Sequence, residues 1–145
     1  LFFGNSTEEI QSICKDVKCD FIQLISSDNK FQIEKLNLQI PIIFSIGIER
    51  KTTDGDLSEF NSELLILDTY KKGEGGGSGA TFDWKHIKDV KRKFLLAGGL
   101  TPENVAEAVN YLKPYGVDVA SGVETEKGIK DKSKIKEFIK NAKRI

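Results

Sequence analysis

Strand-like and helix-like segments alternate along the chain, and this alternation constrains the fold more than any other feature of the sequence. About six strand–helix units follow one another at a spacing of roughly 20–25 residues. Such alternation predicts a parallel sheet, because a helical crossover must return the chain to the start of each new strand. The run at 64–67, Leu-Leu-Ile-Leu, is apolar at every position, as expected of a parallel strand covered on both faces.

Two α/β architectures fit this pattern: an open doubly wound sheet and a closed (βα)8 barrel. A complete eight-unit barrel usually needs roughly 200 residues or more, whereas the chain has 145. About six units would therefore make a barrel that lacks two of them. In either architecture we expect residues 1–145 to form a single domain.

Local signals give the expected boundaries of the elements. The first apolar run is short and covers residues 1–3. Strands are expected at residues 20–25, 42–48, 64–67, 94–97 and 117–120. Ser6 and Glu9 form a capping box that begins the first helix, and Thr101 with Pro102 begins a later one. Other helices are expected at residues 29–38, 83–90 and 132–142, with a weak one at 57–60.

Charge and composition argue against several classes of partner. The chain has 22 Lys and Arg residues against 22 Asp and Glu residues, so its net charge of +0 offers no electrostatic footprint for nucleic acid or an anionic membrane. No apolar run approaches the roughly 20 residues that span a bilayer, and the first residues lack a signal-peptide pattern. Cys14 and Cys19 make no metal-ligand pattern with His86, which predicts two buried or half-buried thiols in a reducing cytoplasm.

Glycine-containing pairs follow two successive predicted strands near the end of the chain. Gly98-Gly99 follows the strand at 94–97, and Ser121-Gly122 follows the strand at 117–120. In both architectures, sites form beyond the carboxyl ends of strands, and glycine lets a phosphate come close to backbone N–H groups. The two pairs therefore predict a phosphate site, although each pair could also serve only a tight turn between a strand and a helix.

Two aspartates stand at or near predicted strand ends. Asp68 ends an otherwise apolar strand, where an unpartnered carboxylate is costly to bury, so it is either a functional acid or a cap of the next turn. Asp118 lies within the strand predicted at 117–120 and could orient a ligand hydroxyl or hydrogen-bond a neighbouring loop.

The glycine-rich stretch GEGGGSGATFDW, at residues 73–84, has the composition of a flexible linker. It begins just after Asp68, however, between a strand and its own helix, and a linker between domains does not lie there. We therefore expect a loop at the carboxyl end of the sheet, whose glycines can approach a ligand and allow a lid to close.

Several stretches of the chain are specific enough to compare with known families: LLILDT, GGSGATFDW, LLAGGLTPENVAEAV, GVDVASGVE, GIKDKSKIKEFIKNAK, LFFGNSTEEI and CDFIQL. Their order and spacing resemble the phosphoribosylanthranilate isomerase family, the barrel enzymes of tryptophan biosynthesis. The resemblance covers nearly the whole chain, and the glycine loop with Phe-Asp-Trp is among its most specific parts. It implies units three to eight of a (βα)8 TIM barrel of the ribulose-phosphate-binding type.

The resemblance also implies an activity. This is the Amadori rearrangement of N-(5-phosphoribosyl)anthranilate, an aminoaldose, to the aminoketose 1-(2-carboxyphenylamino)-1-deoxyribulose 5-phosphate. It implies that no metal or organic cofactor is needed, that the partner is a small phosphorylated sugar, and that the protein is a monomer or a homodimer. Asp68 falls on the family's general acid, which would protonate the ribose ring oxygen before a general base removes the C2 proton.

The same resemblance implies roles for the other candidate residues. Asp118 would lie near the ribose hydroxyls. The phosphate would be held at Gly98, Gly99, Ser121 and Gly122. The loop over the substrate would consist of Gly76, Gly77, Ser78 and Gly79.

The sequence departs from the family pattern at several places. Nothing matches the catalytic cysteine of the family's first strand, because Cys14 lies on a predicted helix and Cys19 opens another strand. The arginine that receives the anthranilate carboxylate is absent too, so the chain is expected to begin at the family's third strand. Ile25-Ser26 stands where the fourth strand usually has His-Gly, and Phe44 or Ser45 stands where the fifth usually has lysine.

Three functional hypotheses follow. The first is an isomerase with two further N-terminal units, and the second is a sugar-phosphate-binding barrel fragment without turnover. The third is another sugar-phosphate barrel enzyme, such as indole-glycerol-phosphate synthase or a histidine-pathway isomerase. The stretch GGSGATFDW after an aspartate-terminated strand argues against the third hypothesis.

Overall fold

The computed structural model describes residues 1–26, 39–68 and 84–143 of the chain. In chain order, its elements are α1 (Thr7–Asp16), β1 (Ile22–Ser26), β2 (Ile42–Gly47), β3 (Leu65–Asp68), a 3-10 helix (Trp84–Ile87), β4 (Phe94–Ala97), α2 (Val105–Leu112), β5 (Gly116–Val117), a second 3-10 helix (Ser121–Val123), β6 (Glu124–Glu126), β7 (Ile129–Lys130) and α3 (Lys132–Ala142). The helix expected at 29–38, most of the glycine-rich stretch and the Asp83 start of the helix expected at 83–90 lie outside the described residues. None of the helices in the described ranges is long and apolar enough to cross a membrane.

The strands β1 to β5 form one sheet in which every neighbouring pair is parallel. This confirms the parallel sheet that the alternation of segments predicts. The spatial order of the five strands equals their order along the chain, whereas a doubly wound sheet reverses its order at a switch point. Beyond β1, an isolated bridge joins Phe2 to Leu24, so the first apolar run also pairs in parallel with the sheet.

One face of the sheet packs against the helices and holds the main hydrophobic core. The strand residues at the centre of this core are at most 1% exposed: Leu24, Phe44, Leu65, Leu67 and Leu96. Ile10 of α1, Val105 of α2 and Phe138 of α3 pack against them. Because alternate strand residues supply this core, a shift of one residue in any strand would turn its core side chains to the other face.

The opposite face of the sheet is buried as well. Ser45 of β2 and Ile66 of β3 pair in register on this face, and each is 5% exposed. Asp68 lies two residues beyond Ile66 and therefore faces the same side, as does its register partner Ala97 in β4. Burial on both faces explains why the third strand is apolar until its last residue.

Two helix starts follow their sequence signals. The Ser6 Oγ accepts from the Glu9 N–H at 3.2 Å, and the Ser6 N–H donates to Glu9 Oε2 at 2.8 Å, which confirms the capping box. The helix α3 has the expected bounds, and Asp131 Oδ1 caps it by accepting from the Ser133 and Lys134 N–H groups at 2.7 and 3.0 Å. These backbone donors hold the pKa of the Asp131 carboxyl below its usual range.

The helix α2 begins at Val105, so the prediction that it begins at Pro102 is wrong in its boundary. Thr101 does cap the turn before the helix, because its Oγ1 accepts from the Glu103 N–H at 3.3 Å and its carbonyl accepts from the Val105 N–H at 3.1 Å. Asn104 closes this turn. Its Oδ1 accepts from the Thr101 N–H at 2.8 Å, and its Nδ2 donates to the Gly99 carbonyl at 2.9 Å. Residues 102–104 consequently form a turn before the helix, in a manner typical of Asn side chains that bond to nearby backbone.

The strand β5 covers Gly116–Val117, so the prediction of a strand over 117–120 is also wrong. Asp118 follows this strand rather than lying within it, and it is exposed. Its N–H still donates to the Leu96 carbonyl at 2.8 Å, which extends the pairing by one residue. At Ala120, φ of −118° and ψ of −80° take the backbone out of the strand region, and a 3-10 helix follows.

Two other predicted helices are replaced by tighter structure. In place of the helix at 83–90, the described residues form a 3-10 helix at Trp84–Ile87 and a turn that ends in a hydrogen bond from the Val90 N–H to the Ile87 carbonyl at 3.2 Å. In place of the weak helix at 57–60, residues 54–59 form turns. Asp56 Oδ2 accepts from the Thr53 N–H and hydroxyl at 2.9 and 2.7 Å, and such local side-chain bonds compete with a helix.

The two cysteines are free thiols with half-buried side chains, as the sequence predicts. Both pack against the edge of the main core. Burial and the neighbouring Cys19 raise the pKa of the Cys14 thiol.

Candidate active site

The carboxyl ends of β3, β4 and β5 lie side by side, because these strands are parallel neighbours. Asp68 is the last residue of β3 and pairs in register with Ala97, the last residue of β4. Gly98 comes directly after β4, and the segment that leads to Ser121 comes after β5. The structure therefore brings Asp68 and both glycine-containing pairs to one edge of the sheet.

The Asp68 side chain is half-buried at this edge. Its register partner on the other side is Gly47, the last residue of β2. A Cβ placed on Gly47 would meet no heavy atom within 4 Å, so the described residues leave space beside the end of β3. The main chain of Asp68 is fixed, because its carbonyl accepts from the Ile48 N–H at 2.8 Å. A carboxyl group on a fixed strand end beside such space can exchange a proton with a bound molecule.

Gly98 and Gly99 turn the chain at the end of β4. Their φ values of 87° and 61° lie in the left-handed region, which residues with a Cβ rarely occupy. The Gly99 carbonyl accepts from Asn104 Nδ2 at 2.9 Å, and this bond ties the turn to the start of α2. Because the turn carries no side chains, an anion can approach its N–H groups closely.

Gly122 packs directly on the loop that follows β4. A Cβ on Gly122 would overlap the Leu100 carbonyl oxygen and would lie 2.9 Å from the Leu100 carbonyl carbon. Any side chain at this position would force two main-chain segments apart. The two glycine-containing pairs therefore belong to one surface, built from the main chain that follows two neighbouring strands.

The other candidate residues fall into two groups. Asp118 and Ser121 are exposed, with Asp118 directly after β5 and Ser121 at the start of the second 3-10 helix. The loop residues expected over a ligand lie outside the described residues: Gly76, Gly77, Ser78 and Gly79. The described part of the candidate site thus consists of Asp68, Asp118 and the two glycine-containing pairs.

A short antiparallel hairpin, β6–β7, stands behind the Ser121 loop, and the alternation of strands and helices does not predict it. Its register sets Glu124 opposite Lys130. Lys130 Nζ donates to the Ala120 carbonyl at 2.7 Å and to Glu124 Oε1 at 2.6 Å. The bond from Lys130, followed by one from the Gly128 N–H, holds the pKa of the Glu124 carboxyl below its usual range. The sequence signal for this hairpin is Gly128, which has a φ of 85° in the turn between β6 and β7.

The hydrogen-bond donors at this edge suit an anion, and the carboxylate acceptors suit hydroxyl groups. Within residues 1–26, 39–68 and 84–143, no three His, Cys, Asp or Glu side chains are grouped so that they could hold a metal ion. The loops after β4 and β5 offer main-chain N–H groups, which bind phosphate well. The carboxyls of Asp68 and Asp118 can accept hydrogen bonds from hydroxyl groups when they are ionised.

Nearly the whole chain matches one protein family. The family model for N-(5'-phosphoribosyl)anthranilate (PRA) isomerase matches residues 1–141. The chain belongs to the phosphoribosylanthranilate isomerase family. The matched region includes every strand end that contributes to the candidate site.

Similar proteins and structures are phosphoribosylanthranilate isomerases from several organisms. The enzyme of Leptospira interrogans is 50% identical over 143 residues, which are 99% of this chain and 67% of that relative. The crystal structure of the Thermotoga maritima isomerase has a TM-score of 0.78 at 35% identity and is matched over 99% of this chain and 71% of that one. An isomerase in complex with reduced 1-(o-carboxyphenylamino)-1-deoxyribulose 5-phosphate has a TM-score of 0.72 at 33% identity, over 99% of this chain and 70% of that one.

These comparisons confirm the resemblance to the phosphoribosylanthranilate isomerase family that the sequence motifs indicate. They also confirm an α/β fold of the type seen in solved isomerase structures. Within the described residues, the candidate site lies at the carboxyl edge of the parallel sheet.

Proposed function

We infer that the chain has the function of its family and is a phosphoribosylanthranilate isomerase of tryptophan biosynthesis. Its reaction is the Amadori rearrangement of N-(5-phosphoribosyl)anthranilate to 1-(2-carboxyphenylamino)-1-deoxyribulose 5-phosphate. The observation that links this function to a site is the main-chain packing of Gly122 on Leu100. This packing joins two glycine-containing loops next to the strand that ends in Asp68.

We propose that residues 1–145 form one domain and supply units three to eight of a (βα)8 barrel. The uninterrupted order of β1 to β5 supports a barrel wall, because a doubly wound sheet would reverse its order. Burial of both faces of the sheet supports it as well, since one face would line the barrel and the other would meet the helices. The similarity to the Thermotoga maritima isomerase, with a TM-score of 0.78, is consistent with this proposal.

Asp68 is the general acid in the proposed mechanism. It gives a proton to the ribose ring oxygen, the bond from C1 to that oxygen breaks, and the nitrogen lone pair forms the C1=N bond of a Schiff base. A general base then removes the C2 proton to give an enolamine, which gains a proton at C1 and loses the proton of its C2 hydroxyl to become the C2 ketone. Support for Asp68 comes from its fixed main chain and from the space beside Gly47. We assign the general base to no residue of this sequence, because none matches the family's catalytic cysteine.

The substrate phosphate binds, in this proposal, to main-chain N–H groups of Gly98, Gly99, Ser121 and Gly122. The left-handed turn at the first pair and the close packing of the second pair support it, because both remove side chains from the path of an anion. Asp118 orients the ribose hydroxyls from its exposed position after β5. Gly76, Gly77, Ser78 and Gly79 lie outside the described residues, and we propose them as substrate-binding on the family resemblance alone.

The variant Asp68→Asn, made in the complete protein with any units that precede this chain, tests the assignment of the general acid. Loss of a positioned acid should lower kcat by about 10²–10⁴-fold, whereas the Kd for inorganic phosphate should stay the same because the phosphate loops are intact. Asp89→Asn is the matched control, since Asp89 is a surface carboxylate that pairs with Lys51 Nζ at 3.2 Å. Steady-state kinetics and titration calorimetry on all three proteins give the comparison.

Each outcome of this experiment separates the hypotheses. Unchanged turnover in Asp68→Asn would remove Asp68 from the mechanism. If the complete protein, with any units that precede this chain, binds inorganic phosphate but shows no turnover, the second hypothesis holds, namely a sugar-phosphate-binding barrel without catalysis. The observations that favour this alternative are the departures within the matched region, Ile25-Ser26 in place of His-Gly and Phe44 or Ser45 in place of lysine.

Two further expectations from the sequence stay predictions. One is the cytoplasmic location, and the other is that the protein is a monomer or a homodimer. Subcellular fractionation tests the first, and sedimentation equilibrium over a range of protein concentrations tests the second.

A further inference from the structure

Lys130 connects the β6–β7 hairpin to the loop that contains Ser121 and Gly122. Its ammonium group donates to the Ala120 carbonyl at 2.7 Å and to Glu124 Oε1 at 2.6 Å. Ala120 is the residue directly before the second 3-10 helix. One charged side chain therefore holds the main chain at the entrance to this loop.

The peptide group between Ala120 and Ser121 shows what this contact can do. In a planar trans peptide, the carbonyl and the following N–H point in opposite directions. Lys130 holds the Ala120 carbonyl toward the hairpin, so the Ser121 N–H points away from it. The φ and ψ of Ala120, −118° and −80°, lie outside the main helix and strand regions, and such a conformation persists only when its surroundings hold it.

The hairpin that carries Lys130 is itself firmly anchored. Glu124 Oε2 accepts from the Gly128 N–H at 3.1 Å, and the Glu124 carbonyl accepts from Lys134 Nζ at 2.7 Å. The Asp131 N–H donates to the Val123 carbonyl at 2.8 Å, which joins the start of α3 to the same loop. Lys130 therefore links the Ala120 carbonyl to a hairpin that several hydrogen bonds hold in place.

The charge of Lys130 is balanced within the hairpin. Glu124 lies opposite it, forms an ion pair with it and has a side chain that is only 15% exposed. The lowered pKa of Glu124 keeps this carboxylate ionised at neutral pH. An ammonium paired in this way contributes little net charge to a nearby anion, so any effect of Lys130 on phosphate must pass mainly through the peptide that it holds.

We propose that Lys130 is a positioning residue of the phosphate site, which orients the Ala120–Ser121 peptide so that the Ser121 N–H faces the bound phosphate. This inference rests on the proposed function, because it adds a supporting side chain to the phosphate site assigned there. Contacts behind a ligand-binding group commonly contribute about 10–100-fold to affinity, as known for the partners of metal-binding side chains.

The variant Lys130→Met tests this role, because it removes the ammonium group and keeps most of the apolar stem. We expect its Kd for inorganic phosphate, measured by titration calorimetry on the full chain, to rise roughly tenfold. Lys127→Met is the matched control. Lys127 is exposed in the turn of the same hairpin and carries the same charge, but no hydrogen bond within the described residues joins its ammonium to the Ala120 carbonyl. Its loss should leave the Kd within about twofold, because an exposed charge is screened by salt.

Amide chemical shifts distinguish a positioning role of Lys130 from a merely structural one. A merely structural role would not abolish the phosphate-induced change at Ser121 alone. In the unaltered protein, phosphate should shift the amide resonances of Ser121, Gly98 and Gly99. In Lys130→Met, the shift at Ser121 should be lost, while the shifts at Gly98 and Gly99 persist at a sufficiently high phosphate concentration. Lys130→Arg retains a charged donor and should restore the Ser121 shift and most of the affinity.

The possible failures are distinguishable. If the unaltered chain does not bind inorganic phosphate, the phosphate site of the proposed function fails and the role of Lys130 fails with it. If the unaltered chain and Lys130→Met bind phosphate equally and both show the Ser121 shift, the role of Lys130 is wrong while the phosphate site stands.

If Lys130→Met does not fold, as judged by circular dichroism, Glu124→Gln takes its place. It weakens the hold on the ammonium and should raise the Kd by about threefold, and an unchanged Kd in that variant would overturn the proposal.

Discussion

At Gly122 the structure leaves no room for a side chain, so a single substitution tests the packing of this residue on Leu100. In Gly122→Ala the new Cβ would overlap the Leu100 carbonyl, which is main chain and cannot swing aside as the end of a flexible side chain can. We expect the free energy of unfolding to fall by about 3 kcal/mol, the upper end of the cost of overpacking. Urea denaturation measures this change, and calorimetry should show that inorganic phosphate no longer binds.

Gly55→Ala is the control for this variant. A Cβ on Gly55 would lie 3.6 Å from Thr53 Oγ1, an ordinary van der Waals distance. Its free energy of unfolding should therefore stay within about 0.5 kcal/mol of the unaltered value, as for most surface substitutions. Equal stabilities for the two alanine variants would contradict the close packing of Gly122 on Leu100.

At the residue scale, the sequence predicts those features whose cause is local. The capping box of Ser6 and Glu9 needs only a spacing of three residues, and Asp68 is conspicuous because a carboxylate ends an apolar run. The contacts of Lys130 could not be predicted in this way. Its partners, the Ala120 carbonyl and Glu124, come together only through a hairpin with very short strands. Strands of two or three residues carry too few side chains for alternation to be recognised.

At the scale of elements, Arg92 joins the turn region between β2 and β3 to the start of β4. Its guanidinium donates to the carbonyls of Phe60 and Ser62 at 2.8 and 2.6 Å, and also to the carbonyl of Leu57. These bonds are part-buried, so removal of the donor would leave several carbonyls without it. We expect Arg92→Met to lower the free energy of unfolding by about 2–3 kcal/mol, as measured by urea denaturation.

Lys91→Met is the matched control for Arg92→Met. Lys91 is the adjacent residue, its side chain is exposed, and its N–H bond to Asp54 comes from the main chain and survives the substitution. We expect a change within about 0.5 kcal/mol for this variant. A loss as large as that of Arg92→Met would mean that positive charge near β4, rather than the bonds of the guanidinium, supports the fold.

Element boundaries could be predicted where the sequence carries both a periodic core and a cap. The strand β4 and the helix α3 have the expected bounds, because an apolar run defines the first and Asp131 caps the second. The start of α2 could not be predicted, since Thr101 and Pro102 look like a helix start, whereas a turn closed by the bond from Asn104 to Gly99 precedes the helix at Val105. That bond depends on the turn after β4, which is tertiary structure.

At the scale of the whole molecule, phosphate that binds only the folded protein must raise the stability of the protein. At a phosphate concentration ten times the Kd, the free energy of unfolding should increase by about 1.4 kcal/mol. Thermal unfolding is measured over a series of sodium phosphate concentrations, with sodium chloride keeping the ionic strength constant. Specific binding gives a stability gain that follows RT ln(1 + L/Kd), where L is the free phosphate concentration, whereas the general effect of phosphate as a kosmotropic salt grows in proportion to its concentration. Identical unfolding curves along this series would argue against a phosphate site in the native chain.

The parallel sheet could be predicted from the alternation of strands and helices, but the order of its strands could not. A doubly wound sheet and a barrel wall share that alternation and differ only in whether the chain changes direction across the sheet. The uninterrupted order from β1 to β5 arises from how helices pack against strands distant in sequence. The placement of Asp68 next to the glycine-containing loops follows from this order, because it makes their strands neighbours.

The bond between Lys130 and Ala120 has a consequence for protein engineering. It uses the carbonyl of residue 120, which every amino acid supplies, while the side chain at this position is exposed. A library that randomises position 120 and keeps Lys130 would therefore display new side chains beside the phosphate loop on an unchanged backbone. Selectivity among phosphorylated sugars could then be evolved at one codon without rebuilding the loop that we propose to hold the phosphate.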